Sequence, residues 1–451
     1  MNSPIRTHTS LISRRRFSAS AAVLAAAGPL ILTSRSLGRT GANDRIRIGC
    51  IGMGIQARDH LGRFLKNNAV QVTAVCDVDT TRREHARKMV DAAYGQSTPG
   101  FKGCAAYLDH RELLASTDVD AVLIATPDHW HCAQVLDAAA AKKDIYCEKP
   151  LSLTLREAKR MLDAARRHNI VFQTGSQQRT EFDGLFRTAV EHIRNGRIGR
   201  VLTVTVGVPA RGPGITTSVR CDLPGEAMEE GLDWDRWLGP APLRAYNAVL
   251  SPRGVHGHYP DWRLYREYSG GMLTDFGAHH FDIAQWGLGM DESGPVEVLP
   301  PQDEKSVFGA RLRYASGIEV VHGGPIGIQF IGTEGTLYVD RGALRGTPDD
   351  VLRQPAAGKR LEDEVKVPKP AGSGGHQSDW IACIRSRTRP VCDVEVGART
   401  AACCHLVNLA YGHRKALKWD PLKWTFVGEG AADANRWADV DRREGYALPD
   451  L

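Results

Sequence analysis

The sequence predicts an α/β protein: an N-terminal doubly wound parallel sheet, then a C-terminal α/β domain on a large, mostly antiparallel sheet. Three observations predict it. From Ile46 to Gln173, short apolar runs alternate with segments of helical spacing, and polar clusters fall where the runs end. The first run leads straight into Gly52-Met53-Gly54-Ile55-Gln56-Ala57 and a helix-patterned stretch through Leu61, Phe64 and Leu65. From Val201 onward the pattern becomes period-two alternation broken by Gly-containing turns, as antiparallel hairpins require.

The 451 residues, with 42% hydrophobic content, are enough for two cores. The net charge of +6 is spread among interleaved arginines and acids, which argues against a nucleic-acid groove or a polybasic membrane anchor. Ten cysteines show no CxxC pairs, and Cys50, Cys76 and Cys147 lie in apolar strand patterns, so they read as free thiols. Ser13-Arg14-Arg15-Arg16-Phe17 precedes an Ala/Leu-rich run from Ala19 to Leu32, shorter than the roughly eighteen residues of a membrane span. This pattern reads as a twin-arginine export signal with cleavage near Ala42. The expected organisation is a signal at 1–42, a dinucleotide-binding Rossmann domain at 43–172, and a second, C-terminal domain at 173–451. The expected location is periplasmic or otherwise exported, through the twin-arginine machinery, with no stable span in the mature chain.

Taken in order, Ile46, Ile48, Cys50 and Ile51 form a strand, and the first two glycines let a pyrophosphate approach the backbone at a helix N-terminus. A second strand, Val70 to Cys76, ends in Asp77, at the distance where an acid holds ribose hydroxyls. Asp77 would repel a 2′-phosphate, which favours NAD over NADP; Arg82 and Arg83 are the residues that would offset it. Thr80 to Tyr94 reads as a helix with a cap-like Thr, and Asp109 to Ala115 as a short one. Asp120 to Ala125 is a buried parallel strand ending at Thr126-Pro127-Asp128-His129-Trp130-His131. An Ala-rich helix reaches Lys143, Asp144 to Cys147 is the next strand, and Glu148-Lys149-Pro150 follows on the ligand-facing edge. Thr154 to His168 is amphipathic and Ile170 to Gln173 extended. Val201 to Val208 alternates; two hairpins turn at Ala315-Ser316-Gly317 and at 332–335; helices are expected at Ser378 to Arg385 and Gly397 to Gly412.

A lysine closing a buried strand must be desolvated or paired, which singles out Lys149. Asp275, His279 and Asp282 fall at i, i+4 and i+7, one face of a single helix, where flanking carboxylates would hold an imidazole in one tautomer as a general base. Within the insert from Pro209 to Pro260, Trp234, Trp237, Tyr246, His256 and His258 mix aromatic and polar groups, suited to a carbohydrate face or to a core. A metal site from His256, His258, His280 and Asp282 lacks a close ligand pair of diagnostic spacing, so no metal is expected.

Through GCIGMGIQA, VCDVD, ATPDHWH, CEKP and the D-x-x-x-H of TDFGAHHFD, the chain resembles the glucose-fructose oxidoreductase, inositol dehydrogenase and MocA (Gfo/Idh/MocA) family, from about Ile46 to Gly412. The resemblance implies a Rossmann domain, an open sheet used for homo-oligomerisation, and a nicotinamide cofactor between the two domains. It implies that Lys149 stands near the nicotinamide and the substrate hydroxyl, with Asp275 and His279 as the family's acid and proton acceptor. Thr126, Pro127 and His131 would border the cofactor, beside Gly52, Gly54, Ile55, Gln56, Asp77 and Glu148. The doubled His279-His280 and the 209–260 insert depart from simpler members.

The expected activity is therefore hydride transfer from a sugar, glycoside or polyol hydroxyl, with the cofactor retained through export. Two alternatives stay open: a redox-neutral NAD-dependent glycoside hydrolase or lyase of the same fold, and a non-catalytic NAD-binding sensor.

Overall fold

The computed structural model describes residues 44–95, 101–353, 369–372 and 374–449. The expected export signal lies outside them. The chain divides into a unit Met1–Arg45 and a unit Ile46–Leu451, and the second carries everything below.

In its first part, β1 (Ile46–Ile51), α1 (Ile55–Phe64), β2 (Val70–Cys76), α2 (Thr80–Tyr94), β3 (Ala105–Tyr107), α3 (His110–Ala115), β4 (Ala121–Ile124), α4 (Asp128–Ala140), β5 (Asp144–Cys147), α5 (Leu155–Arg167) and β6 (Phe172–Thr174) alternate. The six strands are parallel, in the order β3-β2-β1-β4-β5-β6. The order reverses between β1 and β4, and a ligand crevice opens at the carboxyl ends of strands beside such a switch point. Helix α2 is capped by Asp79, whose carboxylate accepts from Arg82 N at 3.0 Å, rather than by the expected Thr80. Thr154 caps α5 through Glu157 N at 3.1 Å, worth about 1 kcal/mol. The 172/173 boundary expected between domains falls at the start of β6.

The rest of the unit holds α6 (Leu185–Arg194), β7 (Val201–Gly207), α7 (Trp234–Leu238), α8 (Met272–Asp275), α9 (Gly277–Leu288), β8 (Glu297–Leu299), β9 (Arg311–Arg313), β10 (Glu319–His322), β11 (Gly327–Gly332), β12 (Thr336–Val339), β13 (Leu344–Thr347), α10 (His376–Ser386), α11 (Val394–His413), β14 (Leu417–Asp420), β15 (Thr425–Val427) and α12 (Ala431–Trp437). Nine strands form a sheet ordered β13-β12-β11-β7-β10-β9-β8-β14-β15, antiparallel except where β7 meets β10. Both expected hairpins, β9–β10 and β11–β12, are present. Val204 and Val206 of β7 are fully buried against Phe281, Trp286 and Phe330, whereas Leu202 of the same strand is 43% exposed.

The late helices return to the first sheet. Trp380, Ile381 and Cys383 of α10 pack with β1, β2 and α1, and Val394, Ala398 and Ala401 of α11 pack with β5 and α5. Further along α11, Cys403, Leu406 and Val407 belong to the core of the nine-stranded sheet. One helix thus ties both cores together. All ten cysteines are free, nine of them buried. Among the described residues no helix is long and apolar enough to cross a membrane.

Candidate active site

The glycine turn is fixed by backbone geometry. Gly52 has φ +83°, and a Cβ there would lie 2.8 Å from Thr126 Cγ2 and 2.9 Å from the Ala125 carbonyl oxygen, so only glycine lets β1 turn beside the end of β4. Gly54 precedes the first turn of α1 with no side-chain cap, and the space above its Cα is open. An uncapped helix start beside open space is where a pyrophosphate fits. Asp77, at the end of β2, accepts from Met53 N at 2.6 Å and Asp79 N at 2.9 Å. Burial pushes its carboxyl up, against the pull of Arg82 and those two amides.

A cleft of about 1030 Å³ runs along this edge, lined by Gly52, Gly54, Ile55, Gln56, Asp77, Thr126 and Pro127. Its far wall is the 209–260 insert, which contributes Trp237, Leu250, Ser251, Pro252 and His256. The insert is latched to the first domain. Arg82 donates to Ser251 Oγ and Gly254 O, each at 3.2 Å, and to Pro252 O. Arg58 donates to Met53 O at 3.0 Å and to His256 O, and Tyr259 Oη donates to Gln56 Oε1 at 3.0 Å.

A second cavity, of about 1600 Å³, adjoins the cleft and shares Gln56, Ala125, Thr126, Trp262 and Arg263 with it. Lys149, Asp275 and His279 all line this cavity. Lys149 Nζ donates to Asp275 Oδ1 at 2.8 Å and to the Asp275 carbonyl at 3.0 Å, while Arg263 Nε lies 3.5 Å from the same Oδ1. Burial alone would raise the Asp275 pKa, but Lys149 and Arg263 outweigh it and hold the carboxyl at about 2. His279 is buried and its Nδ1 has no hydrogen-bond partner among the described residues. Burial first, then the Lys149 and Arg341 charges, keep its pKa well below the ordinary imidazole value, so it stands neutral. Asp128 accepts from Ser269 Oγ at 2.5 Å, and burial raises its pKa to about 7.

Behind Lys149 lies a buried polar chain. Glu148 Oε1 meets His60 Nε2 and Gln177 Nε2, each at 2.7 Å, and Gln377 of α10 closes on His60 Nδ1. Lys149 N donates to Glu148 Oε2 at 3.2 Å. Burial disfavours the Glu148 charge, yet His60 and Lys149 hold its pKa below the usual value.

Several expectations are corrected. Of Asp275, His279 and Asp282, expected on one helix face, the first two line the cavity together, across a turn at Phe276 whose backbone stays right-handed helical, and the third does not. Asp282, fully buried, is gripped by Arg179 Nε and Nη2 at 2.8–3.0 Å and shares that guanidinium with Asp291 in a structural ion-pair cluster. His280 turns to the sheet, with Nδ1 2.7 Å from Gly207 O, and burial lowers its pKa to about 4. His131 lines neither cavity; its ring spans Pro150 O and Thr126 O, both at 2.9 Å, and so braces the two loops that do. Of the two readings open for the insert's tryptophans the core one holds: Trp234 and Trp237 stack at 4.6 Å inside the insert's own core, Trp237 also bordering the cofactor cleft, and Trp262 lines the substrate cavity. Arg263, Arg341, Asp128 and His60 were not singled out from the sequence. An Asp inside the ATPDHWH run was the one signal available for Asp128; an isolated arginine in a loop or turn offers none.

Comparison with known proteins bears on the family and the fold. Residues 46–176 match the model of an oxidoreductase family described as an NAD-binding Rossmann fold, and residues 187–448 match that family's C-terminal alpha/beta domain. An inositol 2-dehydrogenase of Acidothermus cellulolyticus is 31% identical over 218 residues, 48% of this chain and 60% of that protein. A glycosyl hydrolase family 109 protein 2 of Shewanella sp. (strain ANA-3) is 36% identical over 124 residues, 27% of this chain and 26% of that protein. In both matches the chain spans less than two thirds of the relative's own length. The WlbA dehydrogenase of Bordetella pertussis, solved with NADH and UDP-GlcNAcA, shares the fold at a TM-score of 0.55 and 20% identity, over 83% of this chain and 99% of that one. With the glycine turn, the Lys149–Asp275 pair and both family halves in order along one polypeptide, this chain belongs to the Gfo/Idh/MocA oxidoreductase family.

Proposed function

We propose that the protein is an exported NAD-dependent oxidoreductase acting on a sugar, glycoside or polyol hydroxyl, with its cofactor retained. The observation that carries this reading is the Lys149–Asp275 contact of 2.8 Å in a cavity that shares a wall with the cofactor cleft and also holds His279. A nicotinamide bound in the cleft supplies the hydride acceptor. Neutral His279 takes the hydroxyl proton, and Lys149, its ammonium fixed by Asp275, steadies the oxygen as negative charge develops. His131 and Glu148 position the loops that present Thr126 and Lys149.

NAD rather than NADP is supported by Asp77 and by the engagement of both nearby arginines. Arg82 is drawn to the insert, and Arg83 donates to Asp77 O at 2.6 Å. Retention is supported by the latched insert along the cleft. Export is supported by Arg14, Arg15 and Phe17, and changing both arginines to lysine tests it: the protein should then stay inside the cell. Homo-oligomerisation is supported by exposed apolar side chains such as Leu202 on the nine-stranded sheet, and sedimentation tests it.

Acid extraction of purified protein should release nicotinamide dinucleotide, and glycosides or polyols should reduce it. Release of NADP, or of nothing, would overturn the cofactor assignment; a loaded cofactor that no sugar reduces would favour a sensor. The similarity to a family 109 glycosyl hydrolase favours a second reading, a redox-neutral hydrolase or lyase. Many turnovers on one glycoside without an acceptor, with solvent deuterium entering the neighbouring carbon, would establish that reading instead.

A further inference from the structure

The arginines and the lysine lining the substrate cavity pair off, with one remainder among the described residues. Arg63 meets Asp59 at 3.1 Å and Glu181 at 2.9 Å, Arg211 meets Asp261, and Glu148 meets His60. Lys149 and Arg263 share Asp275. Arg341, in the same cavity lining, has no carboxylate within salt-bridge distance among the described residues.

This arginine is nonetheless held. It stands in the turn between β12 and β13, which Asp340 shapes by accepting from Gly342 N and Ala343 N, both at 2.7 Å, and from Tyr338 Oη at 2.7 Å. Its guanidinium lies 4.7 Å from the centre of the Phe276 ring and 5.0 Å from that of Phe182. With the Gln178 amide oriented so that its nitrogen donates to His279 O at 2.9 Å, its oxygen accepts from Arg341 Nε at 3.1 Å. Nε is therefore used, two aromatic rings hold the group, and the two terminal nitrogens remain for a ligand. Gln178 also joins this guanidinium to the residue proposed to accept the proton.

We propose that the substrate is an acidic sugar whose carboxylate docks on Arg341. A planar guanidinium edge with two free nitrogens matches the two oxygens of a carboxylate. One fork without a second unpaired cation suits a monoanion better than a phosphate dianion. This inference rests on the sugar oxidoreductase reading and names its substrate class.

The test measures binding separately from turnover. Full-length, NAD-loaded protein is titrated calorimetrically with methyl glycosides, the methyl glycosiduronates of the same configurations, and the matching sugar phosphates. At least one uronate should bind roughly ten- to a hundredfold tighter than its neutral counterpart. R341Q should weaken uronate binding roughly tenfold or more beyond any effect on the neutral glycoside, with the melting temperature followed as a control for folding, and R341K should restore the preference in part. Equal binding of acid and neutral sugar, a preference for the phosphate, no binding of any uronate, or an equal effect of R341Q on both classes would overturn the proposal. Reduction of bound NAD is followed in parallel. Oxidation of neutral sugars without an acid preference refutes this inference and leaves the oxidoreductase standing; uronate binding through Arg341 without reduction by any sugar does the reverse.

Discussion

The cofactor cleft and the substrate cavity share a wall but are made of different material. The cleft is mostly backbone: Gly52, Gly54 and the first turn of α1 are contiguous in sequence, and Asp77 adds a carboxylate from the next strand. The cavity is made of side chains from distant segments, with Lys149, Arg263, Asp275 and Arg341 spread over nearly two hundred residues. Its balance of charge follows from which of them pair. A backbone site tolerates a change of side chain and fails on a change of conformation; a charge-paired site does the opposite.

The largest effect that would test this contrast lies beside the cavity. Asp282→Ala leaves Arg179 buried with only Asp291 opposite, and should destabilise the protein by about 3–5 kcal/mol in denaturant unfolding. Lost turnover at unchanged stability would return Asp282 to the catalytic face.

Next in size, Lys149→Ala and His279→Ala should each lower kcat by roughly 10² or more, with nicotinamide content preserved. His280→Ala, which loses one hydrogen bond to Gly207 O, should cost about 1 kcal/mol of stability and far less turnover. A reversed order for the two histidines would contradict the assignment.

In the cleft, Gly52→Ala should lose bound dinucleotide, since left-handed backbone costs a non-glycine residue about 1–2 kcal/mol before the contact with Ala125 O is counted. Undiminished nicotinamide content would show that the turn is not the binding element.

The last test concerns pH. Asp128 in the fold titrates at about 7 because it is buried, against about 3.9 in an unfolded chain. Between those values the folded protein keeps a proton that the unfolded chain has released. Stability should therefore fall as pH rises from about 4 to about 7, by up to about 1.4 kcal/mol per unit, and stay lower above that. Asp275 acts below this window, since its carboxylate, held at about 2 in the fold, loses its stabilisation as pH falls from about 4 to about 2. Arg263, Lys149 and Asp275 are the charges that act on Asp128, and Asp128→Asn should flatten the profile. An unchanged slope in the variant would remove Asp128 as its source.

Strand and helix order, the two sheets, the glycine turn with Asp77, and Lys149 and His279 as groups of interest are legible along the chain. Each depends on local signals: periodicity, turn chemistry, or a charged residue closing an apolar strand. The partners of these residues come from packing between distant segments. The pattern reads Asp275, His279 and Asp282 as one helix face, yet packing keeps Asp275 and His279 in the cavity and sends Asp282 to Arg179. The insert's tryptophans were legible as aromatic, but whether they face a sugar or each other depends on how residues 209–260 fold back over the first domain. Arg341 has its meaning through Phe182, Phe276 and Gln178, which reach it from elsewhere in the chain. Spacing along a strand or helix fixes which way a side chain points relative to its neighbours in sequence, whereas the partner that neutralises a buried charge is set by long-range packing.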